Sequence, residues 1–394
     1  MQRLLICCIL IHFFVSPTLC IRSNALSQMT YVNVMDQGAH GDGKIDDSNA
    51  ILSAWQRVCG MAGPSTLVIP SGKIFFVKRL ELNGPCKAQS VGIQFAGKIV
   101  PPTMDTWVGD RGSWIVISDV NNLTIDAKGG IIDGNGSSWW EKCRSCRRPT
   151  SLRFHNCNGL VVNSLSMTNS PGAHISVNGC NGAKFSGVSI TAPEHSPNTD
   201  GFDIAVSKYI TIKDSTIATG DDCIAINGGC SNINATRLFC GPGHGISIGS
   251  LGKNGSHEIV EEIYVNNCSF IGTTNGARIK TWPGGSGYAR KITFDQIILK
   301  NAQNPIIIDQ NYGVKQPSAS EQAVMVSEVT YRGFVGTSAR DLAIVLKCST
   351  LGCFNITFDN VHIVSSQPGK PAYASYNNTH GTVINTVPKI SLLK

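Results

Sequence analysis

Charged residues are scarce in this chain, 15% of 394 residues, against about a quarter in an ordinary domain. No run of Lys and Arg with interleaved aromatics occurs, which argues against nucleic acid as a partner. Beyond the first twenty residues no apolar stretch approaches the roughly 18 that cross a bilayer, so no membrane association is expected. Cys143 and Cys146 form a CxxC, but no second pair or His pair follows at finger spacing, so no zinc site is expected. Past residue 60 there is no convincing helical periodicity. The strands are therefore not joined by crossover helices.

What is present begins with a leader. Met1-Gln2-Arg3 is a short basic start, Leu4 to Val15 is apolar but too short for a span, and Thr18 and Cys20 are small enough for a peptidase site. Residues 1–20 read as a signal peptide and residues 21–394 as one secreted domain. Removing Cys7, Cys8 and Cys20 turns fifteen cysteines into twelve, an even number that in an exported chain reads as disulfides rather than metal ligands. Seven N-x-S/T sequons, at Asn122, Asn135, Asn234, Asn254, Asn267, Asn355 and Asn377, fit the secretory route. The formal charge of +7 falls to +6 when Arg3 leaves with the leader. A mildly basic exported protein suits an acidic extracellular partner such as a polyuronide or an anionic surface.

Short β-branched segments recur along the rest: LTIDAKGGIIDG (123–134), LVVNSLSMTNS (160–170), AKFSGVSITAP (183–193), YITIKDSTIATG (209–220) and others down to NITFDNVHIVSS (355–366). Markers taken at Ser164, Gly187, Asp214, Ala235, Asn267 and Gln296 recur at irregular intervals. Each interval falls in the range of solenoid repeats. Strands divided by Gly/Asn turns at that period predict an all-β, single-domain right-handed parallel β-helix, each coil stacked on the last. A β-sandwich is the alternative, and Asn181-Gly182 and Asn227-Gly228 would be its hairpin turns. The one helix expected is AILSAWQRVC (50–59), preceded by Asp46-Asp47-Ser48, with Ile51, Leu52, Trp55 and Val58 on one face. It should cap the open N-terminal end of the solenoid.

One cluster carries chemistry. Asp200 in SPNTDGFDI precedes Asp222 by the same interval at which His244 in GPGHGISIGS follows it. If that interval makes one coil, the three side chains stack on one face. Asp221 can share that face only at a bend, for which Gly220 is suited. Arg278 and Lys280 in ARIK project to the same side of a strand, beside the histidine if 251–276 loops out. Crowded carboxylates cannot all ionise, so one should keep a proton. A protonated acid beside an ionised base is the equipment of glycoside hydrolysis, and the two cations would hold a substrate carboxylate. Taken singly, each motif also reads as a solvated turn or an edge strand, and Asp200, Asp221, Asp222 and His244 could instead bind calcium.

In order and spacing, NTD (198–200), GDD (220–222), GHG (243–245) and RIK (278–280) resemble the four signature motifs of the polygalacturonases, glycoside hydrolases that cleave pectin. The resemblance runs from about Tyr31 to the C-terminal repeats. It implies a β-helix that hydrolyses α-1,4-galacturonan with inversion and needs no metal or organic cofactor. It casts Asp221 as general acid, Asp200 and Asp222 as activators of the water, and His244 as tuning the acid. Arg278 and Lys280 would bind the galacturonate carboxylate, with Asn198 and Tyr312 lining the cleft. It also implies the disulfides Cys223–Cys240 and Cys348–Cys353. Where plant relatives commonly have Cys after the matched Tyr, this chain has Gly313, and no Cys lies between Cys268 and Cys348. A staple is lost there, and a looser loop is expected at 313–320.

A soluble cell-wall enzyme acting on pectin as a monomer is therefore expected. A hydrolase of a related pectin such as rhamnogalacturonan, a calcium-dependent lyase and a non-catalytic pectin-binding wall protein are the alternatives. Whether cleavage is endo or exo rests on loops such as 101–118 and 137–150.

Overall fold

The computed structural model describes residues 29–143, 145–314 and 322–393. The signal-peptide expectation, and most of the loop expected to be loose at 313–320, lie outside the described residues. Among the described residues every strand ladder is parallel, in one sheet of 19 strands and one of 11. Parallel neighbours cannot be joined by two-residue hairpins, so the sandwich alternative falls. The chain is a parallel β-helix.

The period-2 pattern feeds an interior stack. Ile210, Ile233, Ile263, Ile292, Val329 and Ile356 occupy matching places on six successive coils, and all are buried. Aromatic residues continue such stacks: Tyr331 lies face to face with Phe358 at 5.0 Å between ring centroids, and Phe185 meets Phe202 edge-on at 5.1 Å. A solenoid has no other way to hide apolar surface than against the coil above and below.

The larger sheet turns its corners at residues in the left-handed region, two in strands such as Lys208–Ala218, which carries Tyr209 and Asp214. Ser164, Gly187, Asp214, Asn267 and Gln296 all have φ between 52° and 65°. Five of the six sequence markers are thus corner residues, which explains their small or amide character. The sixth is corrected: the corner is Arg237 (φ 55°), not Ala235, which is buried in the stack. Arg237 is held there by the Asp214 carboxylate of the preceding corner.

The capping helix spans Ser48–Gly60 and buries Ala50, Ile51, Ala54, Trp55 and Val58. Leu52 is only partly buried. Ile51 faces Leu67, Ile69, Leu80 and Leu82 of the first coils, and the Trp55 indole donates to Asn83 O at 3.1 Å. Asp46 accepts from Ser48 N–H at 3.1 Å. Asp47 is buried and turns away, accepting from His40 N–H at 2.6 Å and Gly41 N–H at 3.1 Å. Among the described residues no helix is long and apolar enough to cross a membrane.

The expectation that the twelve mature cysteines pair throughout is corrected. Cys59–Cys86, Cys143–Cys146, Cys223–Cys240 and Cys348–Cys353 are disulfides. Cys157, Cys180, Cys230 and Cys268 are free and buried. These four sit inside the coil stack as small apolar side chains, and Cys180 Sγ accepts from Cys157 N–H at 3.4 Å.

Candidate active site

Asp200, Asp221-Asp222 and His244 each lie just before a strand of the shorter sheet: Phe202–Ala205, Ile224–Ile226 and Ile246–Leu251. Phe202 pairs with Ile224 and Ile224 with Ile246, so one coil here equals the interval from Asp200 to Asp222, as the motif spacing implied. The next coil is longer, with Ile246 beside Ala277. Its extra length does not loop out over 251–276, because His257–Ile271 is a continuous strand of the larger sheet. A short turn around Lys253–Gly255 and that longer strand take up the difference.

Gly220 makes the bend for a reason other than backbone freedom. A Cβ there would sit 2.1 Å from Ser196 O, so only glycine leaves room for the preceding coil. His244 stands between Gly243 (φ 133°) and Gly245 (φ 77°), both in conformations glycine tolerates. Its N–H donates to Asp221 O at 2.7 Å. The His244 side chain consequently faces Asp221, not Asp222: Nδ1 lies 2.8 Å from Asp221 Oδ1. The simple stack of Asp200, Asp222 and His244 holds for the backbone and is corrected for the imidazole.

Asp222 is fully buried. Its Oδ1 accepts from Ser247 Oγ at 2.8 Å and Arg278 Nη2 at 2.6 Å, and its Oδ2 from Lys280 Nζ at 2.8 Å. The two cations expected to wait for a substrate carboxylate are thus both engaged by Asp222 in the free protein. Lys280 is itself 7% exposed. Ser247 and Arg278 are register partners on adjacent strands, and the 2.7 Å bond from Arg278 Nε to Ser247 Oγ fixes the guanidinium.

The other two carboxylates diverge. Burial, then the charges of Asp221 and Asp222, pushes Asp200 well above the usual carboxylate range. Burial opposes ionisation of Asp221 too, but the His244 hydrogen bond and charge, with Lys280, outweigh it and hold Asp221 below that range. Burial and crowding thus favour the proton on Asp200, and His244 favours the ionised form of Asp221.

Three neighbours escaped the sequence reading. His174 is buried, and burial holds it at about 4, so it is neutral. It accepts from Ser170 N–H at 3.3 Å through Nε2, which leaves Nδ1–H for the Asp200 carbonyl at 3.2 Å. Asp203 accepts from Asn227 Nδ2 at 2.6 Å, and burial raises its carboxyl. Ser247 is the third. A usable signal existed for Asp203 and Ser247, since each points outward in its strand's alternation, in the column that runs Ser176, Asp203, Ala225, Ser247, Arg278. His174 has no motif around it.

Asn198 reaches the cluster, with its Nδ2 3.4 Å from Asp221 Oδ2. Tyr312 stands beyond the cations, its ring 5.4 Å from Lys280 Nζ and edge-on to Trp282 at 5.4 Å. The missing staple has a physical counterpart. Gly313 is at φ 74°, and a Cβ there would fall 2.2 Å from the Trp282 ring, so the indole occupies the space a side chain at 313 would need.

Asp221, Asp222 and His244 bring donor atoms within 4.8 Å of one another, close enough for a metal ion. The donor set does not suit one. Both Asp222 oxygens already receive cationic donors, and Asp221 Oδ1 is taken by His244 and by Asp222 N–H at 2.8 Å. A divalent ion would have to displace Arg278 and Lys280.

Three carboxylates, an imidazole and two cations gathered on adjacent coils of a parallel β-helix are the equipment of a glycoside hydrolase. The chain belongs to glycosyl hydrolases family 28, whose model matches residues 59–385. It is 46% identical over 379 residues to a "probable polygalacturonase" of Arabidopsis thaliana, covering 94% of this chain and 81% of that one. It is 41% identical over 359 residues to polygalacturonase-2 of Solanum lycopersicum, covering 89% and 78%. An endo-xylogalacturonan hydrolase from Aspergillus tubingensis superposes with a TM-score of 0.80 at 27% identity, covering 91% and 98%.

Proposed function

We propose that the protein is a secreted polygalacturonase that hydrolyses the α-1,4-galacturonosyl linkages of pectin in the cell wall, with inversion, acting as a monomer after loss of residues 1–20. The observation that carries this reading is the pairing of Asp221 with His244 beside a buried Asp222 that holds Arg278 and Lys280. Asp221 is the acid that protonates the leaving oxygen. Its Oδ1 is tied to His244 and the Asp222 N–H, so Oδ2 handles the proton. On the opposite side Asp222, the carboxylate held by Arg278 and Lys280, takes the water's proton, and the Asp200 carboxyl orients that water by hydrogen bonding. The substrate carboxylate competes with Asp222 for Arg278 and Lys280. It adds a negative charge and draws off positive charge, and both effects raise the pKa values of the cluster. The acid is thereby loaded in the substrate complex, whereas in the free protein Asp221 is held low.

The test is the mature protein on de-esterified polygalacturonate with EDTA present, following reducing ends, viscosity and the absorbance of unsaturated uronide, with Asp221→Asn alongside. Reducing ends without unsaturated product, lost in the variant, are expected. Unsaturated product would mean a lyase. Absence of reducing ends from polygalacturonate, with release from a substituted galacturonan or rhamnogalacturonan, would move the substrate to another pectin.

A further inference from the structure

Arg148 lies outside the acidic cluster, at the end of the segment bearing the Cys143–Cys146 disulfide. Its guanidinium crosses to later coils. Nη1 donates to Cys143 O at 2.6 Å, Nε to Pro171 O at 3.0 Å, and Nη2 to Pro197 O at 3.0 Å and Asn198 Oδ1 at 2.7 Å. It thus joins three loops that each precede a strand of the shorter sheet: Thr150–His155, Ile175–Asn178 and Phe202–Ala205. Asn198 itself is held at φ 53°.

An asparagine amide can turn either its oxygen or its nitrogen to a neighbour. Guanidinium only donates, so Arg148 requires Oδ1 on its side. Nδ2 is then left facing Asp221 Oδ2 at 3.4 Å, the carboxylate oxygen not taken by His244 or the Asp222 N–H. We infer that Arg148 is a positioning residue for the reaction: it locks the Asn198 amide with its N–H toward the proton-handling oxygen of Asp221. The inference rests on Asp221 being the acid. An N–H aimed at Oδ2 favours the carboxylate, so the acid gives up its proton readily. A flipped amide would offer a carbonyl to the protonated acid and hold the proton in place.

The test uses the mature protein with Arg148→Met, Arg148→Lys and Asn198→Ala, singly and combined, on polygalacturonate across pH. In Arg148→Met kcat should fall about tenfold, the lower end for a hydrogen bond to a charged group given the long contact, with KM changed much less. The basic limb of kcat/KM should move to higher pH, because a flipped amide raises the Asp221 pKa. Arg148→Lys, which keeps one donor for Asn198 Oδ1, should restore the limb. In the Asn198→Ala background the Arg148 changes should add little. A lower unfolding midpoint with an unmoved limb, or full additivity with Asn198→Ala, would overturn the inference and leave Arg148 a structural tie. If Arg148→Met does not fold, the Arg148→Lys and Asn198→Ala cycle decides by the same additivity criterion. Asp221→Asn separates the two levels: if it is inactive while the limb stays in place, only the positioning role falls.

Discussion

Asp222 offers the sharpest quantitative expectation, because its carboxylate is at once a site residue and the counter-charge of two buried cations. Its side chain is 1% exposed, with Arg278 at 13% and Lys280 at 9%. In Asp222→Asn the side chain keeps its shape, and Oδ1 can still accept from Ser247 Oγ and Arg278 Nη2. The new Nδ2 stands where Oδ2 met Lys280 Nζ at 2.8 Å, a donor against a charged donor. Removing one member of a buried ion pair typically costs about 3–5 kcal/mol. Retention of the Oδ1 bonds places this variant near the lower end, about 3 kcal/mol. Asp221→Asn removes a like charge beside Asp200 and should change stability by less than about 1 kcal/mol. Urea unfolding at fixed pH and salt measures both, with turnover assayed in parallel. Both variants should be inactive, and only Asp222→Asn unstable. Equal urea midpoints for the two would refute the argument that Asp222 is the electrostatic anchor of the site. As a further check, Asp222→Asn with Lys280→Met should recover part of the lost stability without activity, since it removes the cation facing Nδ2 while Oδ1 still accepts from Arg278.

Other expectations follow from the same geometry. Asp221→Asn should lose on the order of 10²–10⁴-fold in kcat with the fold intact, checked by circular dichroism beside turnover. Lys280→Ala should raise KM on galacturonan and also lower the urea midpoint, since Lys280 serves Asp222 as well as the substrate; an unchanged KM would remove it from the carboxylate clamp. Asp200, whose pKa is raised in the folded protein, contributes stability that is full below its unfolded value and lost as pH rises through the folded one. Asp200→Asn should therefore flatten the decline of stability between mildly acid and neutral pH, and an unaltered pH–stability curve would count against Asp200 as the carrier of the proton. Substrate loading of the acid predicts that the basic limb of kcat lies at higher pH than that of kcat/KM, and coincident limbs would mean that binding does not shift the cluster. Replacing Cys223 and Cys240, a sequence separation of 17, by Ser should cost roughly 3 kcal/mol, measured by urea unfolding.

Much of this molecule is written locally. The β-branched segments, the small or amide residues at the corners and the lack of helical periodicity past residue 60 dictate a stacked-coil solenoid, interrupted only locally by short turns such as the helix Ser137–Trp140, because period and turn chemistry are properties of neighbouring residues. The even spacing of Asp200, Asp222 and His244 carried the site for the same reason, one coil being one repeat of the chain. Only the tertiary structure decided how those side chains meet. Asp222 is buried, and Arg278 and Lys280 fold onto it, because a buried carboxylate draws whatever cations the next coils bring within reach. His244 turns to Asp221 through the bend at Gly220, which exists because Ser196 O approaches too closely for any Cβ. Burial raises both Asp200 and Asp221, and the imidazole of His244, brought in by the next coil, is what holds Asp221 low. His174 and Arg148 act through carbonyls and an amide of other coils, so no motif surrounds them; their partners are set by stacking alone. The four thiols left unpaired make the same point, since pairing depends on which cysteines the coils bring together and not on how many there are.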